Sequence, residues 1–151
     1  MDAVRWRRRP ETLRGPAMVA AFRGWNDAGE AATAALSTLV RGLGAEPAAT
    51  IDGEEFYDYQ TTRPTISIVS GRVRGIEWPD VEVWAARPEG APRDLVLVAG
   101  AEPSHRWRAF CSTLLDLARD VDAGLLLTMG ALLADVPHTR PVRVGGMAVP
   151  P

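Results

Sequence analysis

The chain has 151 residues, 46% hydrophobic and 24% charged, with a formal charge of −2, values that suit one globular domain with a real core and give no broad positive field for nucleic acid. All 17 basic residues are arginine, which excludes Schiff-base chemistry, a lysine general base and a P-loop lysine, because arginine stays protonated. No apolar run approaches the ~20 residues of a bilayer span, no apolar stretch follows the basic start as in a secretory signal, and the single Cys111 has no internal disulfide partner, so a cytoplasmic protein without membrane or nucleic-acid partners is expected.

Residues 1–16, with Arg5, Arg7, Arg8 and Arg9, are expected to form a basic flexible tail. An α/β domain should follow over 17–144, with a short irregular tail over 145–151. Ala17 to Phe22 reads as a first buried strand, and Arg23-Gly24-Trp25-Asn26 as the turn after it. Asp27 and Glu30 have capping-box spacing, and Ala28, Ala32, Ala35, Leu36 and Leu39 give the next helix an apolar face until Gly42 and Gly44 stop it. Asn26 and Asp27 have two readings, caps for backbone donors or polar groups facing a ligand at the strand's carboxyl end. Ala48 to Ile51 is a short strand. The loop 52–64 is long for a compact domain, and Phe56, Tyr57 and Tyr59 would give it anchoring area for a partner. Its acids Glu54, Glu55 and Asp58 fit a hydrated surface, with a paired-carboxylate site as the alternative. Thr65–Arg74 and Val81–Arg87 both alternate in part and read as a β-hairpin at a sheet edge.

The run Leu95 to Ala99, unbroken by polar residues, predicts a strand covered on both faces. Gly100 ends it, and Pro103 with Ser104 as N-cap starts a helix whose stripe is Trp107, Phe110, Cys111, Leu114, Leu117, Ala118 and Val121. Cys111 is therefore expected to be a small core residue. Gly124 stops the helix, Leu125 to Met129 reads as another buried strand, and Val142-Arg143-Val144 as the start of one more. In open α/β sheets ligands bind beyond the strand carboxyl ends, which singles out Asn26, Asp27, Glu102, His105, Arg106, His138, Thr139 and Arg140 as candidate ligand-binding residues. The two histidines, with Glu102 or Asp27, would suit proton transfer or a metal; their spacing favours structural hydrogen bonds, and neither a metal nor a cofactor is expected. The sequence contains no Gly-x-Ser-x-Gly, His-Glu-x-x-His, cysteine pair or Gly-x-Gly-x-x-Gly, so no catalytic residue is assigned.

Four blocks, Gly24-Trp25-Asn26-Asp27-Ala28-Gly29, Glu55-Phe56-Tyr57-Asp58 with Arg63-Pro64, Glu102-Pro103 with Arg106-Trp107, and Asp135-Val136-Pro137-His138-Thr139-Arg140-Pro141, resemble in order and spacing the proteasome assembly chaperone 2 family, in its actinobacterial branch. The resemblance runs from Met18 to Val144. It implies a three-layer αβα domain with a mostly parallel central sheet, similar to nucleoside phosphorylases, and in archaeal and eukaryotic relatives a role in assembling proteasome α-rings. Members of the family continue well past the last block, so the resemblance covers the amino-terminal part of the domain, an apparent truncation at the carboxyl end that should leave an unpaired sheet edge. Docking relatives end in a penultimate tyrosine, whereas this sequence ends Ala148-Val149-Pro150-Pro151. Bacterial members carry ligase or ATP-grasp labels, chemistry that relies on phosphate-binding lysines and meets none here. The expectation is a non-enzymatic, homo-oligomeric protein that works through contacts with protein partners, proteasome subunits among them, or with itself. The alternative is an enzyme or small-molecule binder, nucleoside- or carboxylate-directed and ligase-like or hydrolase-like, with a pocket at the strand carboxyl ends.

Overall fold

Unbroken apolar runs need cover on both faces, and the computed structural model, which describes residues 4–149, builds its centre from three of them. The elements in chain order are β1 (Val4–Trp6), β2 (Ala17–Arg23), α1 (Ala31–Gly42), β3 (Glu46–Ile51), β4 (Thr65–Val69), β5 (Arg72–Glu77), β6 (Val81–Ala86), β7 (Leu95–Ala101), α2 (Trp107–Asp120) and β8 (Leu125–Met129). Six strands form one sheet in the order β1-β3-β6-β7-β2-β8. β7 and β8 flank β2 in parallel, with Ala17 opposite both Leu95 and Leu125, so their carboxyl ends share one rim as expected. The remaining pairings, β7 with β6, β6 with β3 and β3 with β1, are antiparallel, which makes the sheet mixed beyond its parallel centre.

Side-chain alternation divides the core into two layers. Ala21 and Leu97 meet Ala32 and Leu36 of α1 on one face. Met18, Val96 and Val98 meet Phe110 and Leu117 of α2 on the other. The result is the three-layer αβα arrangement. Both helices end in Schellman motifs: Ala45 N–H reaches Val40 O (2.9 Å) past Gly44 at φ 59°, and Ala123 N–H reaches Ala118 O (2.8 Å) past Asp122 at φ 54°. The second stop therefore comes at Asp122, before Gly124.

Several expectations change. Residues 4–16 are not a loose tail: β1 pairs with β3, Arg5 forms an ion pair with Asp52, Arg7 with Glu82 (3.0 Å) and Arg8 with Glu46 (3.3 Å). Arg14 donates from its backbone (2.7 Å) and guanidinium (3.1 Å) to the buried carboxylate of Asp94. The arginines reach acids on or beside neighbouring strands while remaining largely exposed. Residues 1–3 of the expected tail, and 150–151 at the other end, lie outside the described residues. The expected hairpin is re-paired. β4 turns at Ser70-Gly71, whose φ values of 52° and 74° are both positive as a type I′ turn requires, and pairs with β5 in a separate two-stranded sheet. β6, with Val81 and Val83 buried, enters the main sheet. Cys111 and Trp107 are exposed, because α2 turns only Phe110, Leu117 and Ala118 fully inward. β8 is not buried: Leu125, Leu126 and Leu127 are 40–49% exposed, since neither helix layer extends over it. Val142 to Val144 form no strand and lie exposed to solvent.

Candidate strand-end site

At the carboxyl end of β7, the Glu102 carboxylate accepts hydrogen bonds from the backbone N–H groups of Trp25 (3.1 Å) and Asn26 (3.2 Å), while Glu102 N–H donates to Arg23 O (2.8 Å). Gly24 permits this approach, because a Cβ there would collide with the carboxylate. The turn after β2 is tied equally to the end of β8. Asn26 O accepts from Ala131 N–H (2.9 Å), Ala28 N–H donates to Ala131 O (2.9 Å), and the Asn26 amide lies over Gly130 where a Cβ would strike it. Three strand ends are thereby laced into one rim.

Asp27 is buried on that rim and spends both oxygens on α1. One accepts from Ala32 N–H (2.8 Å) and Thr33 N–H (3.3 Å), the other from the Thr33 hydroxyl (2.5 Å). It caps the helix from a turn away, across a 3-10 segment. Glu30 does not complete the expected box, since it stands at φ 55° and makes no side-chain capping bond. Ser104 likewise does not cap α2; its Oγ accepts from Asp58 N–H (3.0 Å) in the long loop. Arg106 pairs with Glu55 and lies 6.0 Å from the Phe56 ring centre. His105 is exposed, with its N–H toward Phe56 O (3.4 Å). His138, Thr139 and Arg140 lie in the exposed segment after β8, and among the described residues no hydrogen bond joins them to Asn26, Asp27 or Glu102. The structure thus gathers Asn26, Asp27 and Glu102 and places Arg106 with Glu55, and no described hydrogen bond ties the exposed residues 138–140 to that group. No group of three His, Cys, Asp or Glu side chains among the described residues could hold a metal ion.

The expected partner anchors point inward. Phe56 and Tyr57 are buried, Phe56 edge-on to Phe110 (5.2 Å) and Phe110 edge-on to Phe22 (5.3 Å). These rings fill the core on the α2 face, so they are unavailable to a partner. The Tyr57 hydroxyl donates to Ala101 O (3.0 Å) and accepts from Ala101 N–H (3.2 Å), beyond the stretch of β7 that pairs with β6. Burial pushes its pKa up to about 12, against a smaller lowering by the Ala101 bond. Tyr59 is half-buried against Trp78 (5.0 Å), and burial followed by the charges of Glu54 and Asp52 raises its pKa. Burial also raises that of Glu82, opposed by Arg7. A groove of about 290 Å³ beside α1, lined by Arg23, Leu36, Ser37, Glu82 and Trp84 among others, includes none of the predicted site residues.

Sequence reasoning passed over two surfaces. Trp25, read only as part of a turn, is 85% exposed at the rim. Ile66, Ile68, Val73 and Ile76 occupy one face of the β4–β5 hairpin at 54–64% exposure, with no layer beneath them. The signal for the hairpin was the Ser70-Gly71 pair inside an alternating run.

The PAC2 family profile matches residues 21–151. A search of curated proteins finds no match. Among solved structures, a PAC2 family protein from Streptomyces avermitilis is 50% identical with a TM-score of 0.78, over 83% of this chain and 54% of its own. A proteasome-assembly chaperone homologue from Mycobacterium tuberculosis is 47% identical with a TM-score of 0.79, over 83% and 53%. A Mycobacterium tuberculosis protein of unknown function is 28% identical, TM-score 0.79, over 93% and 49%. The chain spans about half the length of the solved structures it matches.

Proposed function

The chain belongs to the PAC2 family, and from that premise we propose that it acts as a proteasome-assembly-chaperone-like protein in the cytoplasm, through contacts with other polypeptides and not through catalysis. The observation that carries this reading is the β4–β5 hairpin, which holds Ile66, Ile68, Val73 and Ile76 in solvent on one face. A two-stranded hairpin gains little stability by itself, and a contiguous exposed apolar face marks an interaction surface. Trp78 at its base, with Tyr59 against it, adds aromatic area of the kind that dominates interface energetics. The enzymatic alternative has less support, because Glu102, Asp27 and Arg106 direct their charge at the protein's own backbone and side chains.

The relative described as a proteasome-assembly chaperone homologue supports a protein partner, and the partner we propose is unassembled proteasome α-subunits, with self-association as the state without them. Mixing the chain with purified α-subunits and following complexes by native mass spectrometry tests it. Ile66→Asp with Ile68→Asp should abolish capture, and Glu102→Gln should retain it. Equal capture by all variants, or none by the unaltered chain, would overturn the proposal.

A further inference from the structure

One helix cannot cover a six-stranded face, and α1 lies over β2 and β7. Beside it runs the groove of about 290 Å³, at the lower edge of the ~300–1,000 Å³ of small-molecule sites. The register fixes how its charged groups stand. Ala21 and Glu82 flank Ala99 in one cross-strand row, because each is opposite it. Arg23 comes two residues after Ala21 and Asp80 two before Glu82, and since β6 runs antiparallel to β7, both reach the same end of the groove. Two strand spacings of ~4.8 Å put the β2 and β6 backbones about 10 Å apart, with the small residues Ala99 and Gly100 of β7 between them. This ion pair is split: among the described residues the Arg23 guanidinium has no ion pair or hydrogen bond, and Asp80 accepts only from Gly53 N–H (2.8 Å). Glu82 is already neutralised by Arg7 (3.0 Å). Both open charges bear on the Tyr57 phenol, whose pKa is raised mainly by burial, lowered by Arg23 and raised by Asp80, so cation and anion face one region without touching.

From this geometry we infer that the groove beside α1 binds an α-amino acid with a large apolar side chain, its carboxylate on Arg23 and its ammonium on Asp80. The ligand completes the split pair in alternating order, so that each charge meets its opposite and the guanidinium fork can take the carboxylate through two hydrogen bonds. A simple anion would satisfy Arg23 and face the acids Asp80 and Glu82; a simple cation would satisfy Asp80 and face Arg23. A neutral molecule would leave both charges unmet. The body of the ligand is set by the rest of the groove. Trp84 lies two residues further from the strand ends than Glu82, and Leu36 and Val40 of α1 line the same space, an apolar wall beyond the charged end.

Amide NMR titration of the full 151-residue chain tests this with three probes that share one phenyl body: L-phenylalanine, phenethylamine, which lacks the carboxylate, and hydrocinnamate, which lacks the ammonium. L-phenylalanine should shift the signals of Ala99 and Gly100 and saturate, and each truncated probe should bind about tenfold more weakly or worse, having lost one charge-assisted contact. Arg23→Gln, at an exposed position, should weaken L-phenylalanine by a similar factor without lowering the melting temperature, and should leave phenethylamine no weaker than before, because that probe never used the guanidinium. Asp80→Asn, which keeps an oxygen for Gly53 N–H, should do the same to L-phenylalanine and spare hydrocinnamate. The inference fails if neither L-phenylalanine nor L-leucine shifts these signals at millimolar concentration, if the three probes bind alike, or if Arg23→Gln binds L-phenylalanine as tightly as the unaltered chain.

Discussion

Replacing Tyr57 by phenylalanine keeps the buried ring and removes only the hydroxyl that bridges Ala101 N–H and O. At neutral pH the loss leaves a buried backbone pair short of partners, worth ~1–2 kcal/mol. The alkaline limb is more telling. Tyr57 has its pKa raised to about 12 in the folded state from an ordinary 10.0, so the folded chain holds the phenolic proton more tightly than the unfolded chain. The associated stability is fully present below pH 10 and is lost as pH rises toward 12, at up to ~1.4 kcal/mol per unit and ~2–3 kcal/mol in all. Few other groups obscure this: the chain has no lysine and only two tyrosines, and its arginines stay charged. Urea denaturation followed by circular dichroism, at intervals between about pH 8 and 12, should show the Tyr57→Phe deficit shrinking above pH 10 and reversing near pH 12. A deficit that stays constant across that range would refute the buried, neutral phenol.

Leu97→Ala, on a fully buried position of β7 facing α1, should cost ~2–5 kcal/mol in denaturant unfolding; a loss below ~0.5 kcal/mol would mean the strand is not central. Gly24→Ala should displace the Glu102 carboxylate and lose its two backbone bonds, at ~1–3 kcal/mol. Added to Glu102→Ala it should cost little more, so strict additivity in the double-mutant cycle would contradict the coupling. Native Cys111 should react with a thiol reagent without prior unfolding, because its side chain is exposed; labelling only in denaturant would restore the core reading.

Strands β2 and β7 were legible because continuous Val, Leu and Ala runs admit only a covered position, and the parallel rim followed from the glycines and polar turns after them. The same signal misled at β8, where Leu125 to Leu127 has the composition of a covered strand and the described residues provide no cover. Composition reports what a strand needs, not whether it is met. Cys111 was misplaced because a stripe at three- and four-residue steps spans a wide arc, of which α2 buries only the middle. Phe56 and Tyr57 look alike whether they anchor a partner or fill a core, and only the position of Phe110 decides. Asn26, Asp27 and Glu102 were placed by topology, whereas the 138–140 cluster follows a strand but is not held to the rim by any described bond.

The two ends of the main sheet are guarded unequally. β1 closes one end as a strand of three residues with Arg5 at its centre and Arg7 and Arg8 just after it, each held to an acid on the strands or loop behind it, and charged short edges resist pairing with another sheet. β8 closes the other, among the described residues, with three leucines, Thr128 and Met129 and no charged residue. A molecule with two receptive ends can add copies indefinitely, head to tail, as a fibre does. With a single receptive end, pairing of sheet edges has only the two-fold solution, β8 against β8, and it consumes both ends at once. Growth along the sheet would then terminate at such a pair, so the arginines at one end limit what an uncovered β8 at the other could assemble.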